Sequence, residues 1–208
     1  MTGHVWYVAY GSNLLAERFS IYLRGGQPPG AAVTYPGARD RTPPRASKAV
    51  WLSGGVYFAT ESQVWGGGRA LYDPDIPEKA AARSYLITTQ QFSDIAEQEM
   101  YREPGADLDL AELATLRRIQ VGEGRYETLI YLGQDEQIPM VTCTAPWGIG
   151  DVPLLSPSAA YLRMLGRGLR ESHGWDAQRV GEYLASLPGA RGSWTAAEIE
   201  DLLAFRPL

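Results

Sequence analysis

The residues best suited to chemistry in this chain are a glutamate and a glycine–serine–asparagine turn. At about 100° per residue, Phe92, Ile95, Ala96 and Glu99 share one stripe of a helix, whereas Glu97 lies on another side and is expected to be solvated. Glu99 is therefore the acid that an apolar face would carry inward. Burial raises a carboxyl pKa toward the value a general base needs at neutral pH. The same spacing also fits a glutamate at a fraying helix end, paired with Arg102 or another arginine and chemically idle. The turn, Gly11-Ser12-Asn13, joins a strand-like run to a helix-like one. Gly11 can take backbone angles closed to other residues, and Ser12 or Asn13 can cap the first helix N–H groups. Such N–H groups form a small anion site, suited to a carboxylate. Asn13 is the chain's single asparagine. A capped connection with no further role also accounts for this pattern.

The elements that would hold these groups can be read in order. Residues 5–10 (VWYVAY) are aromatic and β-branched, as strands are, and residues 14–23 have helical spacing. Residues 25–44 are rich in glycine and proline and read as loop, with one short strand around 32–35. Residues 48–52 and 56–60 read as a hairpin around Ser53-Gly54-Gly55. Residues 81–87 form a strand, after which Thr88 or Thr89 caps a helix over 90–102 that Pro104 and Gly105 would end. Residues 107–119 read as a second amphipathic helix, acidic early and basic late as the helix dipole favours. Strands over 126–132 and 139–144 join around 133–137, and three helices close the chain. The last has a capping box at Thr195 and Glu198. Strands interspersed with helices, without regular βαβ alternation, give an α+β class: a small mixed, barrel-like sheet with peripheral helices.

Composition narrows the function. The chain has 208 residues, enough for one domain with a sizeable core. A net charge of −5 argues against a nucleic-acid partner, because no positive excess is available for phosphates. The local cluster Arg39, Arg41, Arg45 and Lys48 lies among prolines and glycines and reads as a solvated loop. Cys143 is alone, so no intrachain disulfide forms. No apolar run has the length of a membrane span and no signal-peptide pattern is present, so the expected location is the cytoplasm, with no membrane partner. No Cys/His pair has zinc-ligand spacing and Gly-x-Ser-x-Gly is absent. The run Gly66-Gly67-Gly68 lacks a Gly-Lys-Ser/Thr ending, so it is no phosphate loop; it lets the backbone approach a ligand or a strand closely. Neither metal nor cofactor is expected. Nothing in the pattern specifies an oligomeric state.

Several stretches resemble the γ-glutamylcyclotransferase-like family. YVAYGSNLLAER (7–18) is similar to its signature, in which the first strand ends in an aromatic-x-Tyr-Gly-Ser-Asn-Leu turn. SQVWGGGRALY (62–72) resembles its Ser-x-x-Trp-x-Gly-Gly-x-Ala element, GRYETLIYLG (124–133) and PMVTCTA (139–145) its paired strands, and SPSAAYLRMLGRGLRESHGW (156–175) its C-terminal helix. The helix ending AEQE (96–99) resembles the stretch with the family's catalytic glutamate, although Met100 stands where glycine is usual. The matches span residues 5–175. The resemblance implies one domain over residues 1–175, with about 101–123 as an insertion, and 176–208 as a helical extension packed on it.

The resemblance implies an enzyme that cyclises a γ-glutamyl compound to 5-oxoproline with release of an amine or amino acid. It implies Glu99 as the base, the turn Gly11, Ser12, Asn13 and Leu14 as holder of the substrate carboxylate, and Tyr10 and Tyr126 bordering the site. The partner is then a small γ-glutamyl molecule whose leaving group the sequence does not specify. Two alternatives stand beside it: a non-catalytic metabolite-binding module of the same fold, and a related acyl-transfer or amide-cleaving enzyme.

Overall fold

A computed structural model describes residues 3–28 and 34–204. These gather into two compact units whose segments alternate along the chain. The first comprises Met1–Ala9, Glu17–Lys48 and Arg83–Pro146, the second Tyr10–Ala16, Ala49–Ala82 and Trp147–Leu208.

The first unit is organised around strand β1 (His4–Ala9), of which Val5 to Ala9 are all buried. Such a continuous apolar run suits a strand flanked on both edges. On one edge β1 pairs antiparallel with β5 (Lys79–Thr88), from His4 opposite Thr88 to Ala9 opposite Arg83. On the other it runs parallel to β8 (Ile138–Thr144), with Tyr7 opposite Val141. β8 forms a hairpin with β7 (Thr128–Asp135), turning on Glu136 and Gln137 with φ of 49° and 66°. Two positive φ values match the twist of an antiparallel pair. With β2 (Ala46–Ser53) and β6 (Arg118–Gln120) the strand order is β2-β5-β1-β8-β7-β6. The sheet is mixed, and its order ends at β2 and β6 without closing a barrel among the described residues.

Helices α1 (Ala16–Arg24) and α2 (Thr89–Glu99) bury Phe19, Tyr22, Leu23, Phe92, Ile95 and Ala96 in the core of this unit. Phe19 stacks on Tyr85 at a centroid distance of 3.9 Å. In the second unit, β3 (Gly55–Glu61) pairs antiparallel with β4 (Gly68–Asp73). Three helices follow in that unit: α4 (Ala159–His173), α5 (Ala177–Ser186) and α6 (Ala196–Ala204), with a short α3 (Leu113–Leu116) earlier in the chain. Ser158 and Asp176 cap α4 and α5, and the expected Thr195–Glu198 capping box precedes α6.

Three expectations change. Residues 48–60 are not a hairpin: β2 lies beside β5 in the six-stranded sheet, whereas β3 pairs with β4 in a separate two-stranded one. Gly54 therefore separates strands of different sheets. Residues 107–119 hold only the single turn α3. Arg117 takes a left-handed φ of 66°, which ends the helix, and Arg118–Gln120 become β6, paired with β7. α2 stops at Glu99, earlier than Pro104 requires, because its C-terminus closes on itself. Tyr101 N–H donates to Gln98 O (3.1 Å) and Arg102 N–H to Glu97 O (2.8 Å), a Schellman arrangement. The expected strand around 32–35 lies partly outside the described residues; Tyr35 forms an isolated antiparallel bridge with Gly26. No helix among the described residues is long and apolar enough to cross a membrane.

Candidate active site

The turn after β1 belongs to the second unit. Tyr10 is buried, its ring 5.7 Å from that of Tyr72. Ser12–Leu14 form one 3-10 turn, closed by Leu14 N–H donating to Gly11 O at 2.9 Å. Leu14's N–H is thus already engaged within the turn. Leu15 is extended (φ −83°, ψ 119°) and α1 begins only at Ala16. Ser12 and Asn13 therefore sit inside the 3-10 turn, not at the position that caps α1, a correction to the expected role. Gly11 has an ordinary negative φ of −105°, so its requirement is room and not unusual angles. A Cβ there would lie 3.2 Å from Tyr161 Oη. Asn13 and Leu14 are buried and Ser12 half-buried.

The glycine run serves the same unit. Gly68 N–H donates to Ser156 O at 2.8 Å, and a Cβ on Gly68 would stand 2.0 Å from Leu155 O. The close approach is thus to the chain leading into α4. Trp65 O accepts from Ser158 Oγ (2.7 Å), and the Trp65 ring stacks on Tyr161.

Glu99 belongs to the first unit, at the C-terminus of α2. Thr88 caps this helix with a full capping box, Gln91 returning its side chain to Thr88 N–H. A polar stripe then pins the helix. Gln91 donates to Thr42 O (2.9 Å); Asp94 accepts the N–H of Arg39 (2.8 Å) and its Nε (2.9 Å); Gln98 accepts Gly37 N–H and donates to Tyr22 O (2.9 Å). All three side chains are buried. Their spacing, three and four residues apart, was a signal for a buried polar face beside the apolar one.

Glu99 and Glu97 are both half-buried, so exposure does not separate them as expected. Surroundings do. The Glu99 charge acts on Arg18, Tyr22, Tyr35 and Cys143. Burial, reinforced by that charge, pushes the Tyr22 phenol and the Cys143 thiol well above their ordinary ranges. Arg102, one of the arginines that could have paired with Glu99, bonds Glu127 at 2.6 Å. Met100, in the place of the usual glycine, has φ −84°, open to any residue; the left-handed position is the next one, Tyr101. Tyr126 lies in the turn before β7, half-buried against the core of this unit.

Arg18 was not read from the sequence, although the stripe argument used for Glu99 applies to it: it shares the inner face of α1 with Tyr22, four residues on. It is 3% exposed. Its Nη2 donates to Tyr35 Oη (2.7 Å) and Tyr22 Oη (3.3 Å), and its guanidinium lies over both rings at 4.5–4.6 Å. The cation stays charged, its pKa raised further by these tyrosines and by Glu99 against the effect of burial. Among the described residues, no three His, Cys, Asp or Glu side chains gather to hold a metal ion.

No family model matches the chain. Histone deacetylase 5 of Arabidopsis thaliana is 31% identical over 186 residues, covering 80% of this chain and 28% of the plant protein. The chain thus spans less than a third of that relative's length. The crystal structure of an uncharacterized Homo sapiens protein superposes with a TM-score of 0.53 at 18% identity, over 98% of this chain and 99% of the human one. A gamma-glutamyl cyclotransferase structure superposes with a TM-score of 0.51 at 17% identity, over 97% and 98% of the two chains. The chain has the γ-glutamyl cyclotransferase-like fold: mixed α and β, with a central mixed sheet and peripheral helices.

Proposed function

We propose that this protein cyclises a γ-glutamyl compound to 5-oxoproline, with Glu99 as general base. The observation that carries the reading is Glu99 itself. In a fold shared with a gamma-glutamyl cyclotransferase, it stands half-buried at the end of α2, in the first unit with a buried arginine and two tyrosines that feel its charge.

The reaction is intramolecular. Glu99 accepts a proton from the substrate's α-ammonium group, and the freed amine attacks the γ-carbonyl carbon. The carbonyl becomes an oxyanion, the five-membered lactam closes, and the γ-amide C–N bond breaks. The departing amine leaves with a proton. Holding the glutamyl chain folded supplies much of the acceleration. Backbone N–H groups of Gly11, Ser12 and Asn13 hold the substrate carboxylate and stabilise the oxyanion, and Leu14 fixes the turn. Tyr10 and Tyr126 border the substrate. No protein nucleophile takes part, and the protein works in the cytoplasm.

A second reading has one observation in its favour. A similar sequence makes up 28% of a plant protein named for histone deacetylation, so such a stretch occurs within a protein of other named chemistry. That suits a non-catalytic metabolite-binding module. Incubation with a panel of γ-glutamyl amines, dipeptides and glutathione, followed by chromatography of the products, separates the readings. 5-Oxoproline with stoichiometric amine supports cyclisation. Free glutamate supports an amide-cleaving enzyme, and binding without any product supports the module.

A further inference from the structure

We propose that the cavity where the end of α1 faces residues 41–44 is a binding site for a small organic acid, a carboxylate on an apolar body about the size of one ring. It is separate from the chemistry assigned to Glu99 and does not rest on it.

The cavity measures about 200 Å³ and is lined by Ser20, Leu23 and Arg24 of α1 and by Arg41, Pro43 and Pro44. All six belong to the first unit. Its walls are fixed by the fold. Ala38 N–H donates to Leu23 O at 3.0 Å, holding the end of α1 to the segment that follows it. The facing wall is tied at both ends. Buried Gln91 donates to Asp40 O (3.2 Å) and Thr42 O (2.9 Å), and Arg45 N–H donates to Leu86 O (2.9 Å). Between these ties, Pro43 and Pro44 have φ locked by their rings. The stretch that reads from the sequence as a solvated loop is therefore a rigid wall, and a preformed cavity needs no ordering when a ligand enters.

Its lining joins carbon to uncompensated positive charge. Leu23 and the prolines supply an apolar surface, extended by the arginine stems. Arg24 Nη2 donates to Ser20 Oγ (2.8 Å) and Arg41 Nη2 to Pro36 O (3.4 Å), and neither guanidinium has a carboxylate partner among the described residues. By contrast, Arg39 bonds Asp94 and Asp107, and Lys48 bonds Asp135. Each guanidinium carries five N–H donors, so most of each remains available. No acidic side chain lines the cavity. Asp40, beside Arg41 in the chain, turns its Oδ1 onto Thr42 N–H at 2.9 Å. The carbonyls at the end of α1, which would repel an anion, are engaged: Ile21 O accepts Gly25 N–H (2.8 Å) and Tyr22 O accepts from Gln98 (2.9 Å).

Charge selects an anion, and the flat guanidinium fork matches a carboxylate. Size selects its body. A cavity of about 150 Å³ admits benzene, so this one has room for a single ring with a planar head group.

Phenylacetate, titrated into the ¹⁵N-labelled full chain and followed by NMR, is the probe. It should give saturable shifts at the amides of Ser20, Leu23, Arg24, Arg41 and Thr42. Phenylacetamide, equal in shape but uncharged, should bind at least about tenfold more weakly. Arg24→Gln and Arg41→Gln, both at exposed positions, should each weaken phenylacetate about fivefold, the scale of one exposed charge contact. No saturation below about 10 mM, shifts confined to other residues, or equal binding of the amide overturns the proposal. Full affinity in both arginine variants overturns it as well. Should a variant not fold, the acid-against-amide comparison on wild type decides by itself. Turnover enters none of these readouts, so an empty cavity in an enzyme that forms 5-oxoproline, or a filled one in a protein that does not, separates this site from the reading of Glu99.

Discussion

Asp94, whose side chain is fully buried, binds both the backbone and the side chain of Arg39: Oδ2 accepts the Arg39 N–H at 2.8 Å, and Oδ1 lies 2.8 Å from Arg39 Nη2. One carboxylate thus fixes the segment before β2 to the middle of α2. Asp94→Ala leaves a partly buried N–H and a partly buried guanidinium without their acceptor. A charged hydrogen-bond set of this kind contributes about 2–3 kcal/mol, so the urea midpoint should fall accordingly with an unchanged m-value. A loss under 0.5 kcal/mol, the scale of an ordinary surface substitution, would contradict a tethering role.

The turn that follows β1 is packed against α4 through Gly168. A Cβ on Gly168 would meet Leu14 Cβ at 2.5 Å and Leu15 N at 2.7 Å, and the backbone part of that contact cannot yield by a side-chain rotation. Gly168→Ala should therefore displace residues 12–15 and lower stability by about 1–3 kcal/mol. If the turn holds substrate, turnover falls as well, and KM rises more than stability alone explains. Thermal unfolding and Michaelis kinetics on the same preparation check both halves.

His173, in the last turn of α4, packs edge-on against Trp51 and tilted against Trp175, and bonds Ala82 O through Nε2 at 3.0 Å. Burial holds its pKa below the ordinary histidine value, with Arg179 acting in the same direction and the Ala82 bond against it. The unfolded chain then takes up the proton first as pH drops. Stability is full above about pH 6.5, the unfolded value, and is lost as pH falls from there through the lower folded value. Urea midpoints from pH 8 to pH 5 should show this decline in wild type and a smaller slope in His173→Gln. Parallel slopes would contradict it.

Much of this arrangement was legible in local pattern. The VWYVAY strand, the Thr88-capped α2 and the Thr195–Glu198 box all follow from neighbours within a few residues. What was missed depends on distant partners. Residues 118–120 carry a helical pattern, yet pairing with Leu129 and Ile130 makes them an edge strand. Residues 48–60 look like a hairpin because both arms are strand-like, but which strands they pair with is settled far along the chain. The site shows the same division. The stripe set Glu99 apart from Glu97, yet both are half-buried, and the polar stripe of Gln91, Asp94 and Gln98 makes sense only once residues 37–42 and Tyr22 lie against it. Arg18 was legible and overlooked, a charge on the face of α1 that carries Tyr22.

The most direct measurement is the rate of 5-oxoproline formation by wild type and Glu99→Gln, side by side at pH 7.5 on the best γ-glutamyl substrate, with folding of both verified by circular dichroism. Removing a general base costs about 10²–10⁴-fold. A loss of that size in kcat, with ligand binding and fold retained, is the expected result. Wild-type turnover matched within a few-fold by Glu99→Gln would contradict Glu99 as the base.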